Sequence, residues 1–262
     1  MSIRFGACVG KDTDKIAALK KAGFDYAEVS LSALAAMSDE EFETFSAKTA
    51  AIGMHIEATN GFFPAELRLV GNDVDLNTII AYTEKAFNRA AWLGVRVCVL
   101  GSGKSRSIPE GLDRSTAEQQ FVHVLRLCGD IAKKYGIVIA LEPLRTAECN
   151  FINTVRDGLE ICARTAHPNV RCLADFYHVF MNSESLDAIA GAGEMLVHTH
   201  IARANPDRLY PHCEEDEIAC KQWAQALRDC GYSGRMSLEG GSGDDFAAMV
   251  EKAKTLLRIF KE

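Results

Sequence analysis

Residues 137–142 read Ile-Val-Ile-Ala-Leu-Glu, a run of branched and apolar side chains preceded by Gly136 and closed by an acid. A stretch this short and this apolar suits a strand buried on both faces, as in a parallel sheet. The glycine before it suits the left-handed stop of a helix. The same design recurs downstream: Val170–Ala174 runs into Asp175 (VRCLAD), Met195–His200 reads MLVHTH, and Arg235–Glu239 reads RMSLE. Upstream, Ile3–Val9, Tyr26–Ser30, His55–Thr59 and Val95–Leu100 have strand composition too.

Eight strands, each followed by a segment of helical period, predict an α/β fold, a single (β/α)8 barrel spanning residues 1–262. Ser38 with Glu41 forms a capping box, and Asn153 and Asp245 stand where N-caps belong. Gly23, Gly53, Gly94, Gly136 and Gly231 close short helix-to-strand turns. The connections after the third to seventh strands are long and polar, for example 101–115 and 201–216. In a barrel such loops gather on the C-terminal rim, where the chemistry of this architecture sits. An open doubly wound sheet would show the same alternation, but no unit opens with G-x-G-x-x-G.

Composition narrows the function. The net charge is −7, with 29 basic and 36 acidic residues spread along the chain, which argues against a nucleic-acid surface. Nine cysteines, odd in number and without a C-x-x-C pair, read as reduced thiols of a cytoplasmic protein. The N-terminal run MSIRFGACVG is soon interrupted by Lys11 and Asp12, so neither a signal peptide nor a membrane span is expected. LGSGKS (Leu100–Ser105) is not a Walker A motif, because Cys98 stands where the first glycine is needed. It reads as a flexible rim loop whose Lys104 and Arg106 stand available to an anionic group on a substrate.

Position carries the strongest signal. Four of the last five strands end on Glu142, Asp175, His200 and Glu239, and in a closed barrel those tips converge. Each alone reads as a strand-end group paired with a neighbouring base. Together they form a hard-to-borderline donor set for one divalent ion, Mn²⁺ first, with Mg²⁺, Co²⁺ or Zn²⁺ as alternatives. Without a cation, carboxylates so crowded would repel one another. His198 shares a face with His200 one layer deeper and reads as a packed core histidine.

From Ile137 onward the chain resembles the xylose-isomerase-like sugar isomerases and epimerases, and within them the ketose 3-epimerases. Glu142 with Glu148, in LEPLRTAE, is similar to that family's metal glutamate followed by a substrate-contacting glutamate. Asp175-Phe-Tyr-His178 resembles its D-x-x-H, which adds a histidine near the substrate's O2. His200 resembles the second histidine of its H-x-H, and Glu239 in SLEGG its closing glutamate. Arg208-Leu-Tyr-Pro211 resembles its substrate arginine, though two residues late, which leaves Arg203 as a rival. The early strands match less well: Glu28, Glu57 and Asn60 fall at rim positions, and Phe62-Phe63 suits a pocket wall or core packing equally.

The resemblance implies an isomerase working on a small-molecule sugar. A ketose α-proton is too weakly acidic for a free carboxylate to remove quickly, so a metal-chelated cis-enediolate is implied. Glu142 and Glu239 would take the proton from one face and return it to the other, giving 3-epimerisation. Return to the neighbouring carbon would give aldose–ketose isomerisation, and loss of a β-hydroxyl would give a keto-cyclitol dehydratase. An endonuclease IV-like enzyme would need more histidines on the early strands, and a non-catalytic sugar-binding or partner subunit would not need intact ligands. A dimer or tetramer of the chain is a further expectation.

Overall fold

The computed structural model describes residues 3–203 and 207–261. Residues 1–2, 204–206 and 262, which include the start of the N-terminal run and the middle of the 201–216 loop, lie outside them. The strands are β1 (Arg4–Gly10), β2 (Ala27–Ser30), β3 (Ile56–Asn60), β4 (Val97–Leu100), β5 (Val138–Leu141), β6 (Val170–Asp175), β7 (Leu196–Ile201) and β8 (Arg235–Leu238). All pair in parallel and in sequence order, and β1 closes the barrel on β8 with Arg4 opposite Arg235 and Ala7 opposite Leu238. Between them run α1 (Thr13–Ala22), α2 (Leu31–Ala36), α3 (Asp39–Ile52), α4 (Leu76–Trp92), α5 (Gly103–Arg106), α6 (Arg114–Tyr135), α7 (Val155–Thr165), α8 (Phe176–Met181), α9 (Asp187–Ala190) and α10 (Glu214–Asp229), with α11 (Phe246–Leu257) last. The expected (β/α)8 barrel is the observed fold.

Two apolar layers result from the strand alternation. The outer faces of the strands join the helices in one large core, while Tyr26, Ala58, Val97, Val99, Ala140 and Leu173 form a small separate cluster within the barrel. The interior is tight at β1. A Cβ on Gly6 would stand 2.4 Å from the buried Tyr26 ring, whose hydroxyl is 2.7 Å from the Ser237 hydroxyl of β8.

Local signals are met with small shifts. Ser38 and Glu41 form the capping box of α3, and Asp245 caps α11. Asn153 does not cap α7: Thr154 does, boxed with Asp157, while Asn153 donates to the Leu144 and Cys149 carbonyls. Gly23, Gly53 and Gly136 are left-handed C-caps; Gly94 and Gly231 lie one residue past theirs with φ of 90° and 70°. The second half of the LGSGKS segment, Gly103–Ser105, is not a loose loop but enters α5, and Arg106, the next residue, is fully buried rather than turned to a substrate. Phe62 and Phe63 are buried against Phe87 and Tyr82 of α4, which makes them core. Among the described residues, no helix is long and apolar enough to cross a membrane.

Gly6→Ala should destabilise the protein by about 1–3 kcal/mol, because the added methyl overpacks the barrel interior. A lowered urea midpoint with an unchanged slope is the expected reading.

Candidate active site

The alternation that buries Ala140 and Leu173 inside the barrel turns Glu142 and Asp175, two positions on, to the same axis. His200 likewise follows His198, and Glu239 follows Ser237. Although β5 and β8 formally end one residue earlier, the Glu142 and Glu239 amides still donate to Leu100 and Ile201 across the sheet, at 3.1 and 3.0 Å. The structure brings the four tips together: Glu142, Asp175, His200 and Glu239 each have a ligand atom within 4.8 Å of the other three. His200 Nδ1 is 3.1 Å from Glu142 Oε1 and 3.2 Å from Glu239 Oε2. Glu142, Asp175 and His200 are buried.

The charges are strongly coupled to their surroundings. Burial, then the charge of Glu239, pushes the Glu142 carboxyl above the ordinary range. Burial also pulls Glu239 upward, but the charges of His200 and Arg208 outweigh it and hold that carboxyl below the ordinary range. His200 is driven well above the usual imidazole range, the charges of Glu239 and Glu28 outweighing burial. Arg208 donates from one Nη to Asp175 Oδ2 and Glu239 Oε2, each at 2.6 Å, and Asn60 donates to Glu239 Oε1 at 2.9 Å. Three carboxylates and one imidazole, spaced this closely in a buried setting, fit a hard-to-borderline divalent cation.

Beneath the cluster lies a layer that the spacing of single motifs does not reveal. His200 Nε2 is 3.0 Å from Glu28 Oε1, while Glu28 Oε2 accepts from His198 Nε2 at 2.8 Å and from the Ser237 hydroxyl at 2.5 Å. Glu28 is therefore not a rim residue but a buried anchor for the histidine. With His200 and His198 outweighing its burial, it stays well below the ordinary carboxyl range. Glu57 also leaves the rim: it pairs with Arg4 and Arg235 at the opposite, N-terminal end of the barrel. Of the three, Glu28 meets the four-residue cluster from below at His200, Asn60 meets it at Glu239, and Glu57 does not meet it. His198 is fully buried, as a core residue should be.

The remaining predicted residues separate clearly. Arg208 reaches the cluster, whereas Arg203 turns away to Asp216 (3.3 Å) and His212 (3.4 Å). Arg208 is held by a bridge between Leu209 and Gly241 and by the Gly241 amide on its carbonyl at 2.6 Å. A Cβ on Gly240 would stand 2.4 Å from that same carbonyl, so the close approach needs glycine there. The guanidinium lies 4.4 Å from the centre of the Tyr177 ring. Asp175 caps α8 through the Tyr177 amide, and the same turn brings His178 Nε2 to 3.5 Å from Asp175 Oδ2. Glu148 stands farther out, on Arg145 at 2.7 Å. Arg106 donates to the Glu142 carbonyl at 2.8 Å and, at 3.4 Å, to that of Ile152, whose φ of 61° is an unusual conformation for a β-branched residue.

Sequence-level reasoning missed Glu28 as a partner of His200 and Arg106 as a backbone anchor. The parity of Tyr26, just before β2, and Glu28, within it, was a readable signal for the first. Nothing local signals the second, because it joins residues 36 positions apart.

A closed eight-stranded parallel barrel with a candidate metal-binding cluster at its C-terminal mouth has the layout of a β/α-barrel enzyme. The model of the xylose isomerase-like TIM barrel family matches residues 16–261, and the chain belongs to that family. It is 29% identical over 225 residues to D-psicose 3-epimerase of Ruminiclostridium cellulolyticum, covering 84% of this chain and 74% of the relative. To D-psicose 3-epimerase of Agrobacterium fabrum it is 26% identical, covering 98% and 92%. The solved D-psicose 3-epimerase of Clostridium cellulolyticum H10, with D-tagatose, superposes with a TM-score of 0.84 at 22% identity, covering 99% of this chain and 98% of that one. Among such relatives the chain is an isomerase-class enzyme with a ketose 3-epimerase-like fold.

If Glu28 fixes the ring of His200, Glu28→Gln should weaken Mn²⁺ binding by about 10–100-fold while the far-ultraviolet circular dichroism stays unchanged. Calorimetric titration of the metal-stripped protein measures this.

Proposed function

We propose that the protein is a metal-dependent sugar epimerase that inverts C3 of a ketose. The observation carrying this reading is the facing pair Glu142 and Glu239, both within 3.2 Å of His200 Nδ1, on strands three apart in the barrel. Glu142, Asp175, His200 and Glu239 would hold one divalent ion, Mn²⁺ foremost, which when bound supplies Lewis-acid polarisation of the substrate carbonyl. Arg208, with Glu148 and His178, binds and orients the hydroxyls of the sugar, and the Tyr177 ring supports the guanidinium. One of the two glutamates takes the C3 proton into its carboxylate, and the other delivers a proton to the opposite face of the same carbon. The product is the C3 epimer, and the net proton count of the site is unchanged.

The test is incubation with a panel of free and phosphorylated ketoses in D₂O, followed by NMR. Deuterium at C3 together with a new diastereomer is expected. Exchange at C1 would mean aldose–ketose isomerisation, loss of water would mean dehydration, and no exchange with any sugar would overturn the reading. Glu142→Gln or Glu239→Gln should lower kcat by about 10²–10⁴-fold, while Arg208→Ala should act mainly on KM.

Metal loading should strengthen as pH rises. Glu142 and His200 are both shifted upward without the ion, so both hold their protons more tightly than free side chains do. The ion must expel those protons, and a lower proton activity favours it. Mn²⁺ titrations across a pH series should show tighter binding at higher pH with protons released into the buffer.

A further inference from the structure

Beside the His200 ring stand two donors, Cys8 and Glu28, that the epimerisation does not use. Cys8, Glu28 and His200 each have a ligand atom within 4.8 Å of the other two. Cys8 approaches from the C-terminal half of β1 and is half-buried, whereas Glu28 and His200 are fully buried. The two oxygens of Glu28 are divided between tasks. Oε2 is anchored by His198 and Ser237, which leaves Oε1 turned toward His200 Nε2 at 3.0 Å. A thiol, a carboxylate and an imidazole nitrogen make a three-donor set, and three protein ligands plus a water is the open form of zinc coordination.

We propose that Cys8, Glu28 and Nε2 of His200 form a second cation site, selective for thiophilic divalent ions such as Zn²⁺, Co²⁺ or Cd²⁺. The selectivity follows from the donors. The upper set holds three carboxylates and suits harder ions, whereas a thiolate adds affinity for softer ones. Binding forms sulfur–metal and nitrogen–metal bonds as the Sγ proton and the Nε2 proton of the His200 ring leave to solvent. A neutral imidazole carries one N–H, so an ion on Nε2 leaves the proton on Nδ1, donated to Glu142 or Glu239. That takes Nδ1 away from the upper set. The two sites therefore compete for one ring, and a thiophilic ion inhibits the enzyme by capturing His200 from below. This last consequence rests on the metal-dependent reading of the upper cluster; ligation by Cys8 does not.

The experiment uses the full chain stripped of metal and titrated with Co²⁺ alone, followed by near-ultraviolet absorption for thiolate-to-cobalt charge transfer. The band is expected in the natural sequence, lost in Cys8→Ser and kept in Cys213→Ser. Zn²⁺ affinity should fall about tenfold or more in Cys8→Ser, a change of about 1.4 kcal/mol, while Mn²⁺ affinity is retained. Absence of the band in the natural sequence, or an equal band in Cys8→Ser, would overturn the proposal and leave Cys8, Glu28 and His200 as a hydrogen-bonded core cluster only. Should Cys8→Ser not fold, the unaltered chain decides: Zn²⁺ must protect Cys8 from iodoacetamide in peptide mass spectra, and equal alkylation with and without Zn²⁺ sinks the site. A cobalt–thiolate band with no Mn²⁺ binding would instead refute the upper metal site and leave this one standing.

Discussion

Glu142, Asp175 and Glu239 come within reach of a single cation because barrel closure holds their strands in register. At that spacing, in a buried setting, their mutual repulsion would force the mouth open unless positive charge stood among them. The Arg208 cation and the imidazole of His200 stand there. His200 rises between Glu142 and Glu239, and Arg208 bridges Asp175 and Glu239. Neither is placed by its own strand or loop alone. His200 is braced from below by Glu28, itself held by His198 and Ser237, and Arg208 is braced from the side by the glycines after β8. The electrostatics of the mouth thus reach down to the barrel interior, where Tyr26 meets Ser237 and leaves Gly6 no space for a side chain.

Much of this was legible because a parallel barrel converts a strand's last residue into a position in space. Knowing that Ile137–Glu142 is a strand is almost enough to know where Glu142 points. The choice of His200 over His198 as the upper residue follows from the same alternation. Family resemblance then added His178, whose place three residues after Asp175 becomes intelligible once Asp175 is seen to cap the short helix that carries it.

What stayed hidden is non-local. The rivalry between Arg203 and Arg208 lay in a long loop, and it is decided largely by Glu239 and the glycines after β8, which lie outside that loop. Glu28 and Glu57 looked equivalent, each an acid on an early strand. One lies below the site and the other at the far end of the barrel: the register of β2 on β3 shifts at this point, pairing Ala27 with Ile56 and Glu28 with Ala58 and skipping Glu57. Asn153 yielded the cap of α7 to Thr154 because its amide had better use tying two carbonyls of the preceding loop. Arg106 follows a glycine-rich segment that suits a rim loop facing an anionic substrate group, yet its guanidinium lies behind the backbone of Glu142, a use of charge that no local pattern encodes.

The bridge between Leu209 and Gly241 has an architectural consequence. It makes the segments that follow β7 and β8 one mechanical unit, with a guanidinium on one and a carboxylate on the other. Barrel enzymes are often described as scaffolds whose rim loops can be exchanged one at a time. Here that modularity stops at the last two units: a grafted segment after β7 would arrive without its docking partner, and a bulkier residue after Glu239 would evict the original. These two loops can diversify only as a pair.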